Sequence, residues 1–441
     1  MREKFLYLIT YGCQMNEHDS RKIASILADY NFKTTNDANK ADLIILNTCS
    51  IREKAEHKVY SELGRLKKFK ERNSRLIIGV GGCVAQQEGE KLLRRVSHLD
   101  LVFGTHQIHR LPQFIARAEE GERLSETVFS NGFECLNLNN FKENKGRVCS
   151  YITIMQGCDN FCSYCIVPYV RGREKSRLIH KIQEEIEIAS RQGVKEVTLL
   201  GQNVNSFGKD FPKEQSFSKL LSVVDSIEDI ERIRFVTSHP KDLSDELIQS
   251  FGKLKKLCNH IHLPVQSGSN SVLKMMNRGY TREKYLEKIK KLREVNPSIC
   301  TTTDIIVGFP GEREEDFQDT LALLEEVRFD GLFSFKYSPR PKTKAASFPD
   351  QVPEKTKIDR LSILQDIQAD YSLSSNKKLE GKIEEVLVTG ISKTHPERMT
   401  GRTRSNKIVN FEGNPGQVGR LVIVGIKEAF QHSLHGENIN S

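Results

Sequence analysis

Three cysteines lie in one short segment, and their spacing could hold a metal ion or a cluster. Cys158, Cys162 and Cys165 form a Cys-x3-Cys-x2-Cys pattern just after an apolar run that predicts a strand. A structural zinc site needs four ligands, and no obvious fourth cysteine or histidine lies nearby in sequence. Three thiolates on a [4Fe–4S] cluster leave one iron without a protein ligand, and that iron can bind a small molecule. The spacing therefore favours a reactive cluster, with a zinc knuckle as the alternative.

A second set of cysteines is spread along the N-terminal region. Cys13, Cys49 and Cys83 each follow an apolar run that predicts a strand, and each precedes a helical pattern. In a parallel sheet the carboxyl ends of all strands meet at one edge, where ligands bind. Nearby helix N-termini lower the pKa of a thiol. We therefore expect these cysteines to converge on a second cluster site, with buried core cysteines as the alternative.

The remaining cysteines carry no comparable pattern. The chain has 10 cysteines, and thiols are kept reduced in the cytosol, so we expect no disulfide scaffold. Free cysteine is often simply buried. We expect Cys135, Cys149, Cys258 and Cys300 to be structural.

The composition is that of a soluble globular protein. Of 441 residues, 37% are hydrophobic and 28% charged, and no apolar run is long enough for a membrane-spanning helix. The first residues predict a strand and not a signal peptide, so we expect a cytoplasmic protein. The formal net charge of +9 suggests a polyanionic partner such as nucleic acid, or simply a basic enzyme.

The elements that must position these cysteines predict an α/β protein with three folded parts. Strands alternate with helices over residues 1–118, which predicts a doubly wound parallel sheet. Residues 119–148 are polar and predict a linker. Six further strand–helix units over 149–376 predict an open six-unit (β/α) barrel. Short β-branched runs over 377–440 predict a small antiparallel β-barrel.

These motifs together resemble a known family. The loop from Cys158 to Cys165, on the first strand of a six-unit barrel, resembles the signature of the radical S-adenosylmethionine (SAM) enzymes. The upstream three-cysteine domain and the C-terminal β domain, called TRAM in that family, are similar to those of the methylthiotransferases. Segments 10–16, 47–54 and 82–87 resemble the branch that modifies tRNA. The branch that modifies a ribosomal protein usually has Leu where Tyr11 stands.

The resemblance implies an enzyme, its cofactors and its substrate. The barrel cysteines would hold a [4Fe–4S] cluster whose open iron binds SAM, and the N-terminal cysteines an auxiliary [4Fe–4S] cluster that carries sulfur. One SAM would methylate that sulfur, and a second would yield a 5′-deoxyadenosyl radical. The product would be 2-methylthio-N6-isopentenyladenosine, formed by methylthiolation at C2 of the N6-isopentenyl(dimethylallyl)adenosine next to the anticodon. The residues expected to contact SAM are Tyr164, Gly201, Gln202, Asn203, Asp304 and Gly308.

The resemblance also implies partners. The substrate would be tRNA, and the electron donor a flavodoxin or ferredoxin; we expect a monomer. A basic cluster in the C-terminal domain is the expected RNA contact, with a solvated face as the alternative; it comprises Arg398, Arg402, Arg404 and Lys407. A second basic group follows the cluster loop and suggests contacts to SAM or tRNA phosphate, or a charged helix entry; it comprises Arg171, Arg173, Lys175 and Arg177.

Two other functions stay open at this point. One is methylthiolation of a ribosomal-protein aspartate, against which Tyr11 and the residues after Cys49 count. The other is a non-catalytic iron–sulfur protein that binds RNA. The loop over residues 337–346 has Lys342 and Lys344 where the family commonly has Gly and Pro, so no role is assigned to it.

Overall fold

Six parallel strands form the sheet of the N-terminal region. The structure is a computed structural model, and it describes residues 2–50, 53–129, 146–211 and 215–439. Two structural units can be separated: one holds the N-terminal region with Met155–Asp159 and Cys165–Arg177, the other the remaining barrel residues and the C-terminal domain. The N-terminal elements are β1 (Lys4–Tyr11), α1 (Gln14–Ala28), β2 (Phe32–Thr34), β3 (Leu43–Thr48), α2 (Glu53–Arg72), β4 (Ile77–Gly82), α3 (Cys83–Glu88), α4 (Glu90–Arg95), β5 (Leu101–Phe103), α5 (Leu111–Glu119) and β6 (Leu124–Glu126).

The strand order β2-β1-β3-β4-β5-β6 confirms the doubly wound sheet. Alternate residues of β3 enter two different cores, as the two-residue period of a strand requires. Leu43 and Ile45 pack with residues of α1 and α5, whereas Ile44 and Leu46 pack with residues of α2 and α4. Both faces of the sheet are therefore covered by helices.

The predicted linker needs a correction at its start. β6 pairs with β5 in the N-terminal sheet, yet it lies inside the segment 119–148 that the sequence predicts as linker. β2, at the opposite edge of the sheet, is also missing from the sequence prediction. Both strands have only three residues, which is too short for a clear hydrophobic alternation. The N-terminal fold thus extends at least to Glu126.

The next region contains six parallel strands in two sheets, with helices between them. Its elements are β7 (Cys149–Thr153), β8 (Met155–Gln156), α6 (Val167–Arg171), β9 (Lys175–Ser176), α7 (Ile179–Arg191), β10 (Glu196–Leu200), α8 (Phe217–Asp225), β11 (Arg232–Phe235), α9 (Asp245–Lys253), β12 (His260–His262), α10 (Asn270–Met275), α11 (Arg282–Val295), β13 (Cys300–Val307), α12 (Glu314–Val327), β14 (Gly331–Lys336) and α13 (Glu354–Lys377). The two sheets are β7-β10-β11 and β12-β13-β14. A parallel bridge from Ile233 to Leu257 links β11 to the segment before β12. The order follows the chain, as expected for the open (β/α) barrel.

The C-terminal domain is a closed five-stranded barrel. Its strands are β15 (Ile383–Ile391), β16 (Arg398–Thr403), β17 (Ile408–Glu412), β18 (Leu421–Ala429) and β19 (Leu434–Asn438), in the order β15-β16-β17-β19-β18. The sequence predicts only three of these strands and an antiparallel barrel. The structure corrects one pairing, because β17 and β19 run parallel.

This small barrel packs against the first residues of the (β/α) strands. Arg232, which begins β11, donates a hydrogen bond to the Glu385 carbonyl oxygen at 2.9 Å. Arg234 donates to the Thr403 carbonyl oxygen at 2.7 Å. The amino ends of (β/α) barrel strands lie opposite the end that binds ligands. The C-terminal domain therefore packs at the amino ends of these strands, opposite the carboxyl ends where ligands bind in such folds.

No helix in the described ranges is long and apolar enough to cross a membrane.

Candidate active site

The three N-terminal cysteines lie at one edge of the sheet. Cys13 caps α1 after β1, Cys49 follows β3, and Cys83 begins α3 after β4. β1, β3 and β4 are neighbours in the sheet. Cys49 and Cys83 are buried and Cys13 is half-buried. The structure thus places all three at the carboxyl edge of the sheet. Cys13 and Cys49 lie at the β1/β3 point where the strand order reverses, which is the usual ligand site of such sheets, and Cys83 lies on the neighbouring β4.

Two glycines allow these turns to approach one another. A Cβ on Gly12 would lie 2.7 Å from the Cβ of Cys49, which is closer than real contacts allow. Gly82, just before Cys83, has a φ of +90°, and its Cβ would lie 2.6 Å from the Thr48 carbonyl oxygen. Only glycine fits either position without displacing the backbone that carries a cysteine.

The electrostatics of this edge favour thiolate at one cysteine. The pKa of Cys13 is lowered to about 6, chiefly by a hydrogen bond with Cys49, against the opposing effect of burial. The positive charge of Arg171 and a backbone hydrogen bond also lower it. Burial raises the pKa of Cys83, and Arg171 opposes that shift. The three cysteines therefore suit a metal cluster, which binds cysteine as thiolate.

Arg171 belongs to this site, whereas its place in the sequence suggests a contact to SAM or tRNA phosphate, or a charged helix entry. Its Nε donates to the Cys83 Sγ at 3.3 Å, and its Nη2 donates to Asp19 Oδ2 at 2.7 Å. Both partners of the ion pair are buried. Burial lowers the pKa of Arg171, but the negative charges of Asp19, Cys83 and Cys13 outweigh burial and raise it overall. Sequence reasoning missed Asp19, whose only signal is an acid on the buried face of α1.

α6, which carries Arg171, is held in the N-terminal unit by polar contacts. Thr105 Oγ1 donates to the Val170 carbonyl oxygen at 2.8 Å. His106 Nε2 lies 2.9 Å from the Arg171 carbonyl oxygen. The segment that follows Cys165 thus supplies one side of the N-terminal cysteine site.

Two cysteines of the barrel loop are also described within the first unit. Cys158 N donates to the Gly172 carbonyl oxygen at 3.1 Å, and both Cys158 and Cys165 lie at least partly buried. Gly157, at φ +84°, would place a Cβ 2.0 Å from the Arg173 carbonyl oxygen. Glycine therefore lets the chain just after β8 pass close to the segment just before β9.

The other members of the basic group after Cys165 have local roles. Arg173 Nε lies 2.8 Å from Asp159 Oδ1. Lys175 lies in β9 and is half-buried. Arg177 is buried, and its charge acts on His18. Arg173 thus has a local ion-pair partner, and its contact to a phosphate stays a prediction.

Cys162 lies in the second unit, where two side chains approach its sulfur. Arg278 Nη1 donates to Cys162 Sγ at 3.3 Å. His239 Nε2 lies 4.0 Å from the same atom. Burial, followed by the charges of Arg278 and Lys241, holds the pKa of His239 far below its ordinary value, so this histidine is neutral. Sequence reasoning missed both residues, although a histidine shortly after β11 could have been found by the strand-end rule.

The predicted SAM residues fall into two groups. Tyr164 Oη lies 3.4 Å from Arg278 Nη1, and Gly201, Gln202 and Asn203 directly follow β10. Asn203 Nδ2 donates to Asp242 Oδ2 at 2.7 Å.

The second group belongs to β13. Gly308 directly follows this strand, and its backbone N donates to Glu312 Oε2 at 2.6 Å. Arg360 Nη1 donates to the same carboxylate oxygen at 2.7 Å, which fixes the loop. Asp304 lies within β13, where His262 Nε2 is 3.4 Å from its Oδ1. Asp304 therefore lies within its strand, whereas Gly308 and the residues after β10 lie beyond the ends of theirs.

Three buried polar atoms near the carboxyl ends of the strands have no hydrogen-bond partner in the described part of the chain. They are Asn203 Oδ1 after β10, Ser238 Oγ after β11 and Tyr337 Oη after β14. Leaving such groups without partners costs free energy, about 1–3 kcal/mol each. They fit a polar ligand at this end of the strands, as the amino-acid and nucleoside groups of SAM would require.

The predicted RNA contacts are half-buried and partly used within the chain. Arg404 Nη2 donates to the Leu257 carbonyl oxygen at 2.8 Å, and Lys407 Nζ lies 3.8 Å from Asp330 Oδ1. Both residues thus join the C-terminal barrel to the base of the (β/α) strands. Arg402 donates to Asn406. The role of all four basic residues in RNA binding stays a prediction.

Arg398 Nε lies 3.9 Å from Glu397 Oε1, which makes a long and half-exposed ion pair. The cysteines expected to be structural lie at strand starts or nearby: Cys149 is half-buried, and Cys258 and Cys300 are buried. Cys135 lies outside the described residues.

In the described ranges, no three His, Cys, Asp or Glu side chains are grouped to hold a single metal ion.

Comparisons with known proteins divide the chain into three matched parts. Residues 5–104 match the Uncharacterized protein family UPF0004, residues 152–324 the Radical SAM superfamily, and residues 377–439 the TRAM domain. The fold and site therefore define a radical SAM enzyme, a class that implies a [4Fe–4S] cluster and SAM. A solved radical SAM methyltransferase, TsrM from Kitasatospora setae, shares the fold, with a TM-score of 0.58, 13% identity, and coverage of 78% of this chain and 74% of that one.

Close relatives identify the family. The chain is 55% identical to the tRNA-2-methylthio-N(6)-dimethylallyladenosine synthase of Geobacter metallireducens, covering 99% of this chain and 98% of the relative. It is 53% identical to the synthase of the same name from Syntrophus aciditrophicus, covering 99% of this chain and 94% of the relative. The chain belongs to the tRNA-2-methylthio-N(6)-dimethylallyladenosine synthase family.

Proposed function

We propose that this chain methylthiolates C2 of N6-dimethylallyladenosine next to the anticodon of tRNA. The observation that carries this proposal is the convergence of Cys13, Cys49 and Cys83 on one sheet edge in a chain that also has the radical SAM loop. A methylthio transfer needs a sulfur source as well as a radical source. Two separate three-cysteine sets match that requirement, and the names of the full-length relatives state the same reaction.

The six cysteines offer two sets of three thiol ligands, enough for two [4Fe–4S] clusters. Cys158, Cys162 and Cys165 would hold one, and the three N-terminal cysteines the other. When bound with SAM, these groups supply one-electron chemistry for a C–H bond that no protein base can deprotonate, together with the sulfur to be transferred.

The side chains of this protein have binding and positioning roles in that reaction. Arg171 and Arg278 donate hydrogen bonds to cysteine sulfurs of the two sets. The buried oxygens of Asn203, Ser238 and Tyr337 would accept or donate hydrogen bonds to SAM. Burial of these groups excludes water from the reacting atoms, which protects a radical from side reactions.

The partners follow from the same reaction. The C-terminal barrel would contact the tRNA. Arg398 and Arg402 are the first candidates for this contact, because Arg404 and Lys407 already bond to the (β/α) region. A small flavodoxin or ferredoxin would supply electrons in the cytoplasm, and the chain would act as a monomer.

The test is the modified-nucleoside profile of total tRNA from a deletion strain, measured by mass spectrometry of a complete digest. We expect the methylthio nucleoside to be lost and N6-dimethylallyladenosine to accumulate. The wild-type chain and Cys258→Ala, which changes a buried cysteine outside both sets, should restore the profile, whereas Cys158→Ala and Cys49→Ala should not. An unchanged profile in the deletion strain would refute the tRNA assignment and direct the search to ribosomal proteins.

A further inference from the structure

We propose that Arg278 is a positioning residue that raises the reduction potential of the cluster bound by Cys162. This inference rests on the proposed function only in that Cys162 holds a cluster. The contact that motivates it is the hydrogen bond from Arg278 Nη1 to Cys162 Sγ at 3.3 Å, between residues 116 positions apart in the chain.

The guanidinium is fixed by its other two nitrogens. Nη2 donates to the Pro264 carbonyl oxygen at 2.6 Å, and Nε donates to Tyr280 Oη at 3.1 Å. Tyr280 Oη in turn donates to the Val265 carbonyl oxygen at 2.8 Å. Arg278 is only 4% exposed. The segment after β12 therefore holds Nη1 towards the sulfur, and little side-chain entropy is left to lose when an anion binds there.

The positive charge of Arg278 has no carboxylate partner in the part of the chain that the structure describes. Its hydrogen-bond partners are a carbonyl oxygen, two phenol groups and the cysteine. Other buried arginines differ in this respect, because Arg171 pairs with Asp19 and Arg234 pairs with Glu196. A buried charge without a counter-charge is costly. Thiolates of a bound cluster would supply the missing negative charge.

A second donor reaches the same sulfur. The backbone N of Lys241 donates to His239 Nδ1 at 3.2 Å, so the ring proton must be on Nε2, which is 4.0 Å from Cys162 Sγ. Asn205 accepts from the backbone N of His239 at 2.9 Å and holds this residue in place. The sulfur of Cys162 is thus faced by two N–H groups, of which only that of arginine carries a formal charge.

The consequence is electrostatic. Reduction adds a negative charge to a cluster, and hydrogen bonds to its sulfurs are among the factors that set its potential. A nearby cation and N–H donors stabilise the reduced form more than the oxidised form. Arg278 should therefore ease delivery of the electron that SAM cleavage needs.

The test is an EPR-monitored redox titration of the full-length, reconstituted chain. The parent carries Cys13→Ala, Cys49→Ala and Cys83→Ala, so that only the cluster of the barrel loop is observed. Arg278→Gln removes the charge, and Arg278→Lys keeps it with fewer donors. Arg234→Gln is the matched control, since Arg234 is buried in the same unit but contacts the C-terminal barrel.

We expect a lower midpoint potential for Arg278→Gln, an intermediate one for Arg278→Lys and the parent value for Arg234→Gln. An unchanged or higher potential in Arg278→Gln would overturn the inference, as would weaker SAM binding at an unchanged potential. Loss of iron from both Arg278 variants would overturn it too, because the residue would then be needed for retention. A parent that binds no iron at all would instead overturn the proposed function.

Discussion

Removing one charge of the buried ion pair between Asp19 and Arg171 should strongly lower the free energy of unfolding. Asp19→Asn keeps the shape of the side chain but removes the charge that faces Arg171. The two side chains are only 7% and 5% exposed and lie 2.7 Å apart. Breaking one side of a buried pair costs about 3–5 kcal/mol, because the remaining charge stays buried. The thiolate of Cys13 compensates for some of this, so we expect about 3 kcal/mol.

The assay is urea unfolding of the metal-free chain, followed by circular dichroism, with the transition of the first unit compared between variants. The matched control is Glu90→Gln, which removes an exposed pair with Arg94 in the same unit. Exposed pairs of this kind contribute about 0.3–0.5 kcal/mol. If Asp19→Asn were destabilised by no more than Glu90→Gln, the reasoning from burial would be refuted.

Three further outcomes are expected. In the metal-free chain at pH 7, Cys13 should react with iodoacetamide, because its pKa of about 6 leaves it mostly thiolate. Cys149 should not react, because burial raises its pKa to about 12. Peptide mapping by mass spectrometry measures the alkylation of both cysteines. Gly82→Ala should lower the iron content of the reconstituted chain from about eight to about four per chain, whereas Gly64→Ala, in open space, should not. Glu312→Gln should weaken SAM binding, measured by equilibrium dialysis, because it loosens the loop at Gly308.

Each of these three predictions can be contradicted by a single result. Equal alkylation of the two cysteines, full iron in the Gly82 variant, or wild-type SAM affinity in the Glu312 variant would each contradict the corresponding argument. The alkylation result also depends on pH, because the reactivity of Cys13 should fall as the pH drops through about 6.

The cysteine positions were predictable because the strands and their ends are visible in the sequence pattern. Cys13, Cys49 and Cys83 each follow a run of apolar residues, and parallel strands bring their carboxyl ends to one edge. The strands of the (β/α) region were predictable for the same reason. β2 and β6 were not, because three residues carry no usable period.

The side chains around the cysteines were not predictable from local patterns. Arg171 meets Asp19 across 152 residues of chain, and Arg278 meets Cys162 across 116. Such contacts depend on how loops pack, which composition and periodicity do not encode. The basic residues Arg404 and Lys407 show the reverse problem, since a charge cluster in sequence does not reveal that its members face another domain.

The hydrogen bonds at the base of the (β/α) strands have a consequence for how this chain can be cut. Arg232 and Arg234 donate hydrogen bonds to carbonyl oxygens of β15 and β16, so a chain that stops after α13 loses these contacts between the two folded parts. The C-terminal barrel therefore stabilises the (β/α) region, and loss of activity in a truncated chain would report lost stability as well as any lost contact with tRNA. Because the acceptors are main-chain carbonyl oxygens, an exchange of this domain between relatives should keep these contacts wherever the recipient has arginine at both positions.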